Sequence, residues 1–204
     1  MNSILRNQPR EKQMSNARIL AFAGSARRDS LNKKLARAAA ERARHAGLDV
    51  TWIDLRDYPM PLYDGDLEAE QGVPENARKL RALLDEHQGL IVVSPEYNSF
   101  ITPLMKNTLD WISRRDGDID GLASFRNKVA LVMSASPGGF GGMRSLALIR
   151  QLLSHLGVTV LPDQLALPRA HEAFDDTGAL KDEQMQKRLD GMVQRLATVL
   201  RNWS

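Results

Sequence analysis

The run Leu90-Ile91-Val92-Val93 leaves the chain few ways to fold. Successive side chains of a strand point to opposite faces, so four apolar residues in a row need cover on both sides. Short apolar runs recur at Arg18–Ala23, Val50–Leu55, Lys128–Ser134 and Val158–Leu161. Between them lie stretches with helical spacing. Leu31, Leu35, Ala38, Ala39 and Ala43 share one helix face, and Ala77, Leu80, Leu83 and Leu84 share another behind Pro74. Thr102-Pro103 reads as N-cap and first helical residue of a helix reaching about Ser113. Leu146, Ile149, Leu153 and Leu156 form a helix face that Gly157 ends. The last helix, about Leu180–Asn202, buries Met185, Leu189, Met192, Val193 and Leu196.

Five such alternations predict an α/β fold of three layers, a doubly wound five-stranded parallel sheet between two layers of helices. With five strands, the flavodoxin-like order 2-1-3-4-5 fits better than the six-stranded dinucleotide fold. Residues 1–15 are polar and aperiodic and read as a flexible N-terminal tail, leaving residues 16–204 as one domain.

Composition narrows the chemistry. The chain has no cysteine, which removes disulfides, thiolate nucleophiles and iron–sulfur clusters. Redox activity must therefore come from a bound cofactor. Of the net charge of +3, the tail carries +2 through Arg6, Arg10 and Lys12 against Glu11. The remainder is near neutral, so no nucleic-acid partner is expected. No apolar stretch is long enough for a membrane span or a signal peptide, so a cytoplasmic location is expected. Asp116-Gly117-Asp118-Ile119-Asp120-Gly121 imitates half a calcium loop, but Asn127 stands at the twelfth position where a glutamate is required. It reads as a solvated acidic turn, and no metal site is predicted. His45, His87, His155 and His171 lack ligand spacing and read as surface or helix-end residues.

In an open parallel sheet a ligand sits beyond the carboxyl ends of the strands, where the strand order reverses. Here that point lies between the first and third strands, with the fourth adjacent. Three unusual loops leave those strands. The first is Gly24-Ser25-Ala26-Arg27-Arg28-Asp29-Ser30-Leu31-Asn32. A helix N-terminus has unpaired N–H groups and favours an anion. Ser25, Ser30 and Asn32 add hydrogen-bonding groups, and Arg27 or Arg28 adds charge. The loop lacks the glycines of a dinucleotide fingerprint and the lysine of a Walker loop, so a terminal monophosphate suits it best. The competing reading is an ordinary turn with Ser30 as N-cap. In the second loop, Ser94-Pro95-Glu96-Tyr97-Asn98, the backbone and the Asn98 amide can read the polar edge of a heterocycle, with Tyr97 beside the ring. Alternatively its Pro and Asn only redirect the chain. The third loop, Ser134-Ala135-Ser136-Pro137-Gly138-Gly139, offers hydroxyls and bare backbone, or is a flexible connection.

Taken together, the three loops resemble the NAD(P)H-dependent FMN reductases, a flavodoxin-like family that includes quinone, azo and chromate reductases. Gly24-Ser25-x-Arg27-x-x-Ser30-x-Asn32-x-x-Leu35-Ala36 resembles the family's phosphate loop. Ser94-Pro95-Glu96-Tyr97-Asn98, followed by Leu104-Met105-Lys106-Asn107-Thr108-Leu109-Asp110-Trp111, resembles its flavin-ring signature. The resemblance spans about residues 18–160. It departs where many members carry Gly-Ser-Ile-Pro-Gly after the Asn and this chain carries Ser99-Phe100-Ile101-Thr102-Pro103, a change expected to reshape access to the ring.

The resemblance implies FMN as cofactor and NAD(P)H as cosubstrate. Ser25, Arg27, Ser30, Leu31 and Asn32 would hold the phosphate; Pro95, Glu96, Tyr97 and Asn98 would line the ring; and Ser134, Ser136, Pro137, Gly138 and Gly139 would close its polar side. Hydride would pass to flavin N5, and electrons then to a small acceptor: a quinone, free flavin, an azo or nitro compound, or a metal oxyanion such as chromate. No catalytic side chain is assigned, because hydride transfer needs none. A homodimer or homotetramer is implied, with the helix at Thr102–Arg115 and the Tyr58–Tyr63 loop as candidate contacts. A flavodoxin-type electron carrier without its own turnover is the alternative, against which stands a sequence pI of about 9.3. A regulatory domain that has lost catalysis is a third reading.

Overall fold

The computed structural model of the protein describes residues 17–203, so the predicted tail at residues 1–15 lies outside it. The sheet is formed by β1 (Arg18–Ala23), β2 (Asp49–Trp52), β3 (Gly89–Val93), β4 (Val129–Ala135) and β5 (Thr159–Leu167). Its order is β2-β1-β3-β4-β5 and every pairing is parallel. The predicted 2-1-3-4-5 topology is the one observed. Six helices flank it: α1 (Leu31–His45), α2 (Gly65–Gln71), α3 (Glu75–Glu86), α4 (Pro103–Ile112), α5 (Met143–His155) and α6 (Glu183–Arg201).

The apolar runs are continuous because the strands feed two cores. Ile19, Ala21, Ile91, Val93, Leu131 and Met133 point toward α1 and α6. Leu20, Phe22, Leu90, Val92, Ala130 and Val132 point toward α3, α4 and α5. Alanines 36, 39, 40 and 43 of α1 are buried, and their small side chains let that helix lie close on the sheet. Met185, predicted as core, is only half-buried at the start of α6.

Four local differences from the sequence reading have clear causes. β5 continues past Pro162 to Leu167. It is an edge strand, and β4 steps from Ala130 to Val132 while β5 runs from Val160 to Gln164, so the missing proline N–H falls in an irregular stretch. α2 went unpredicted because no residue of it is buried and it shows no apolar stripe; Asp64 caps it by accepting from the N–H groups of Asp66 and Leu67. His87 is at a helix end as expected but is fully buried, with Nδ1 2.6 Å from the Leu83 carbonyl and Nε2 2.8 Å from Thr51 Oγ1. The carbonyl partner requires the ring hydrogen on Nδ1. The acidic turn is ion-paired rather than simply solvated: Asp116 accepts two hydrogen bonds from Arg78, at 2.6 and 3.0 Å. Among the described residues, no cluster of potential ligands suited to a metal ion occurs, and no helix is long and apolar enough to cross a membrane.

Candidate functional site

The loops after β1, β3 and β4 meet in a cleft at the carboxyl edge of the sheet. Ser25, Arg27, Ser30, Leu31, Asn32, Pro95, Glu96, Tyr97, Ser136 and Pro137 line it, together with Ala135, which the sequence did not single out.

The first loop ends at the N-terminus of α1. Ser30 is the N-cap; its Oγ accepts from the Lys33 N–H at 3.4 Å, and its carbonyl accepts from the Lys34 N–H at 3.0 Å. The N–H groups of Leu31 and Asn32 then have no acceptor among the described residues. Ser30 therefore caps the helix and still lines the cleft, so the two readings of this loop are compatible. Ser25 is buried, its Oγ accepts from the Arg27 N–H, and its hydroxyl hydrogen stays available. Arg27 is the loop's one cleft-lining cation; Arg28 is exposed outside the lining. Lys33 adds no bare charge, because its buried ammonium lies 2.6 Å from Asp54, two residues beyond β2. Burial pushes the Asp54 carboxyl upward, but the Lys33 hydrogen bond and the Arg56 N–H outweigh it, and the net shift is downward.

Asn32 lines the cleft and also holds two loops together. Its amide nitrogen donates to the Ala135 carbonyl at 2.7 Å and its amide oxygen accepts from the Ala135 N–H at 2.9 Å. The side chain ties the first loop to the third with one amide hydrogen and one lone pair of its oxygen, which leaves its second amide hydrogen and its backbone N–H without an acceptor among the described residues.

Glu96 lines the cleft and is also anchored from outside its own loop. Its carboxylate accepts from the N–H groups of Arg144 and Ser145, at 3.0 and 3.3 Å, and from Arg144 Nε at 2.7 Å. The cause is Gly142, which stands at the N-cap of α5 with φ 83° and offers no side-chain cap. A Cβ at Gly142 would collide with Ser134 Oγ, so no side chain fits there. Glu96 supplies from the second loop the acceptor that α5 lacks, at the end of the helix where a negative charge is favoured.

Tyr97 and Phe100 exchange both backbone hydrogen bonds at 3.0 Å, and between them Asn98 and Ser99 have φ of 51° and 64°. This is a two-residue turn with both central residues left-handed, the conformation that favours Asn-Gly. Asn98 is exposed at the rim, outside the cleft lining. Gly138 and Gly139 are likewise at the rim, with nothing within 4 Å of a Cβ placed on Gly139. Ser134 does not reach the cleft: it is fully buried beneath Gly142 and its Oγ has no partner.

Thr102 completes the frame. It caps α4 by accepting from the Met105 N–H, and its hydroxyl donates to the Gly24 carbonyl at 2.8 Å. A Cβ at Gly24 would lie 2.8 Å from the flexible end of Met105 and 3.0 and 3.1 Å from Met105 Cβ and Thr102 Oγ1, so a side chain there would require these neighbours to shift. The three loops are thus tied together: first to third by Asn32, second to first by Thr102, and second by Glu96 to the start of α5, into which the third loop leads. Sequence gave no signal for Glu96 capping a helix 48 positions away.

Comparison with known proteins gives a consistent relationship. The NADPH-dependent FMN reductase family matches residues 17–172. The chain is 33% identical over 184 residues to a probable NADPH:quinone oxidoreductase 2 of Oryza sativa subsp. japonica, covering 88% of this chain and 86% of the relative. It is 32% identical over 181 residues to a quinone reductase of Pseudomonas putida, covering 88% and 92%. Among solved structures it resembles FerB, a flavoenzyme NAD(P)H:(acceptor) oxidoreductase from Paracoccus denitrificans, with a TM-score of 0.76, 26% identity and coverage of 92% and 98%. A flavodoxin from the domain Archaea, 14% identical at a TM-score of 0.56, shares the fold. The fold, the cleft between the first, third and fourth strands, and these matches place the chain in the NADPH-dependent FMN reductase family, as a quinone-reductase-like NAD(P)H-dependent oxidoreductase.

Proposed function

We propose that the cleft holds FMN and that the protein reduces a small quinone at the expense of NAD(P)H. The observation that carries this reading is the set of donors at α1. Two unpaired N–H groups, the hydroxyls of Ser25 and Ser30, and Arg27 belong to one loop and line the same cleft, a donor set that suits the three oxygens of a terminal phosphate. The Pro95–Tyr97 wall and the open backbone at Gly138 and Gly139 leave room for a flat ring next to it. When bound, FMN supplies a ring able to take a hydride and pass on two electrons. The protein's part is to fix that ring and leave one face accessible to a nicotinamide and then to a quinone. In balance, NAD(P)H, a proton from water and a quinone give NAD(P)+ and a hydroquinone, so no side-chain acid or base is assigned. Quinone as acceptor follows the named activities of the rice and Pseudomonas relatives.

A homodimer or homotetramer belongs to the same proposal. The Tyr58–Tyr63 loop is bonded to α4: the Tyr63 N–H donates to Asn107 Oδ1 at 2.7 Å, and Asn107 Nδ2 and Trp111 Nε1 donate to the Pro61 carbonyl at 2.8 and 2.7 Å. This props Leu62 outward, 77% exposed, as a contact for a second copy.

An anaerobic absorbance spectrum tests the reading. The purified protein, supplied with FMN, is expected to show a bound-flavin spectrum that NADH or NADPH bleaches and a quinone restores. A protein that binds no FMN overturns the proposal. Bound flavin that neither nicotinamide bleaches supports the electron-carrier alternative instead.

A further inference from the structure

Two aromatic rings stand in solvent beside the cleft, Tyr97 at 47% exposure and Phe100 at 52%. Because these residues exchange both backbone hydrogen bonds across a two-residue turn, they are directly opposed, and opposed residues present their side chains on the same face. Tyr97 lines the cleft, so Phe100 extends the same wall outward. Neither ring belongs to a packed core cluster among the described residues.

The hairpin carrying the rings is held on both sides. On one, Pro95 is buried and Glu96 is fixed to α5 by the bonds to Arg144 and Ser145. On the other, Ile101 and Thr102 are buried and Thr102 donates to Gly24. Most of the ordering cost that a flat ligand would otherwise meet is thus already met in folding. Resting on the proposed quinone-reducing function of this cleft, we infer that Phe100 is a specificity-determining residue. With Tyr97 it forms an aromatic wall that favours fused two-ring quinones over single-ring ones. A single ring placed at the Tyr97 end leaves Phe100 uncovered, whereas a fused second ring reaches it and gains offset or edge contact.

The test compares wild type, Phe100→Ser, Phe100→Leu and Phe100→Tyr, all loaded with FMN. Two readouts are used: kcat/KM for 2-methyl-1,4-naphthoquinone relative to 1,4-benzoquinone, and equilibrium binding of each quinone to the oxidised protein without nicotinamide. Phe100→Ser is expected to lower the naphthoquinone-to-benzoquinone ratio about tenfold in both readouts, through KM rather than kcat. Phe100→Leu is expected to lower it about threefold, and Phe100→Tyr to retain it. Native mass and flavin content are measured for each variant. Should Phe100→Ser fail to fold, the Leu and Tyr pair decides the matter. An unaltered ratio overturns the inference, as does an equal loss for both quinones or a loss that follows a changed oligomeric state. A wild-type protein without flavin or quinone turnover would overturn the proposed function itself, and that result is separate from these.

Discussion

At the scale of single residues, the site depends on where side chains are unusable as much as on where they act. Gly142 has no room for a Cβ, so α5 cannot cap itself, and Glu96 takes over. Asn32, expected from its loop to offer hydrogen bonds to a phosphate, and Glu96, expected from the resemblance to line the ring, both line the cleft and both also tie separate segments together. Their partners lie 103 and 48 positions away, and local pattern carries no trace of that. Ser99 is a different case, a non-glycine residue held at φ 64° in a turn that prefers Asn-Gly. A left-handed conformation costs a side-chain-bearing residue about 1–2 kcal/mol, and glycine's extra freedom in the unfolded chain returns part of that. Ser99→Gly is therefore expected to stabilise the protein by about 0.5–1 kcal/mol, read as a rise of about 1–3 °C in Tm. A fall in Tm would mean that the turn is not in this conformation.

At the scale of elements, legibility tracked burial. β3, β4 and α4 were readable because their apolar spacing and the Thr102-Pro103 start are local signals. α2 was not, because all its residues face water or lie half-buried at its surface. β5 ran past the expected Leu161 because an edge strand tolerates Pro162. The junction of α1 and β2 rests on the buried Lys33–Asp54 pair. Asp54 has a lowered pKa in the folded state, so it contributes stability above the ordinary carboxylate value of 3.8. That contribution is lost as pH falls through the depressed folded value. Asp54→Asn is expected to cost about 3 kcal/mol at neutral pH, since it leaves the Lys33 ammonium buried without its counter-charge. It is also expected to flatten the decline of Tm on acidification below about pH 4. Denaturant titrations of both proteins at pH 7 and at acid pH check both effects. A decline equally steep in the variant would assign the acid sensitivity to other carboxylates.

At the scale of the whole molecule, the sheet order was legible because five alternations in a chain this short leave few topologies, and the order in turn located the cleft. What the order could not supply was the division of labour inside the cleft, which depends on contacts between loops. If FMN binds only the folded state, it adds to stability by mass action. At about a hundredfold excess over its Kd the gain is about 2.7 kcal/mol. For a chain of this size that raises Tm by about 5–10 °C. Differential scanning fluorimetry across an FMN series checks this, with riboflavin as the comparison. Equal shifts from the two would argue against phosphate recognition at Ser25, Arg27 and Ser30.

The bonding that ties the three loops together also bears on how such a protein can be re-engineered. Each segment has one end of its geometry set by a neighbour: Asn32 needs Ala135, Glu96 needs Arg144 and Ser145, Thr102 needs Gly24. Transplanting one segment from a homologue would strand its correspondents, whereas moving all three together with the first turn of α5 would carry the whole lattice of ties intact. Selectivity is therefore best altered at the free rim, at Phe100 or Gly139, where nothing else is suspended from the change.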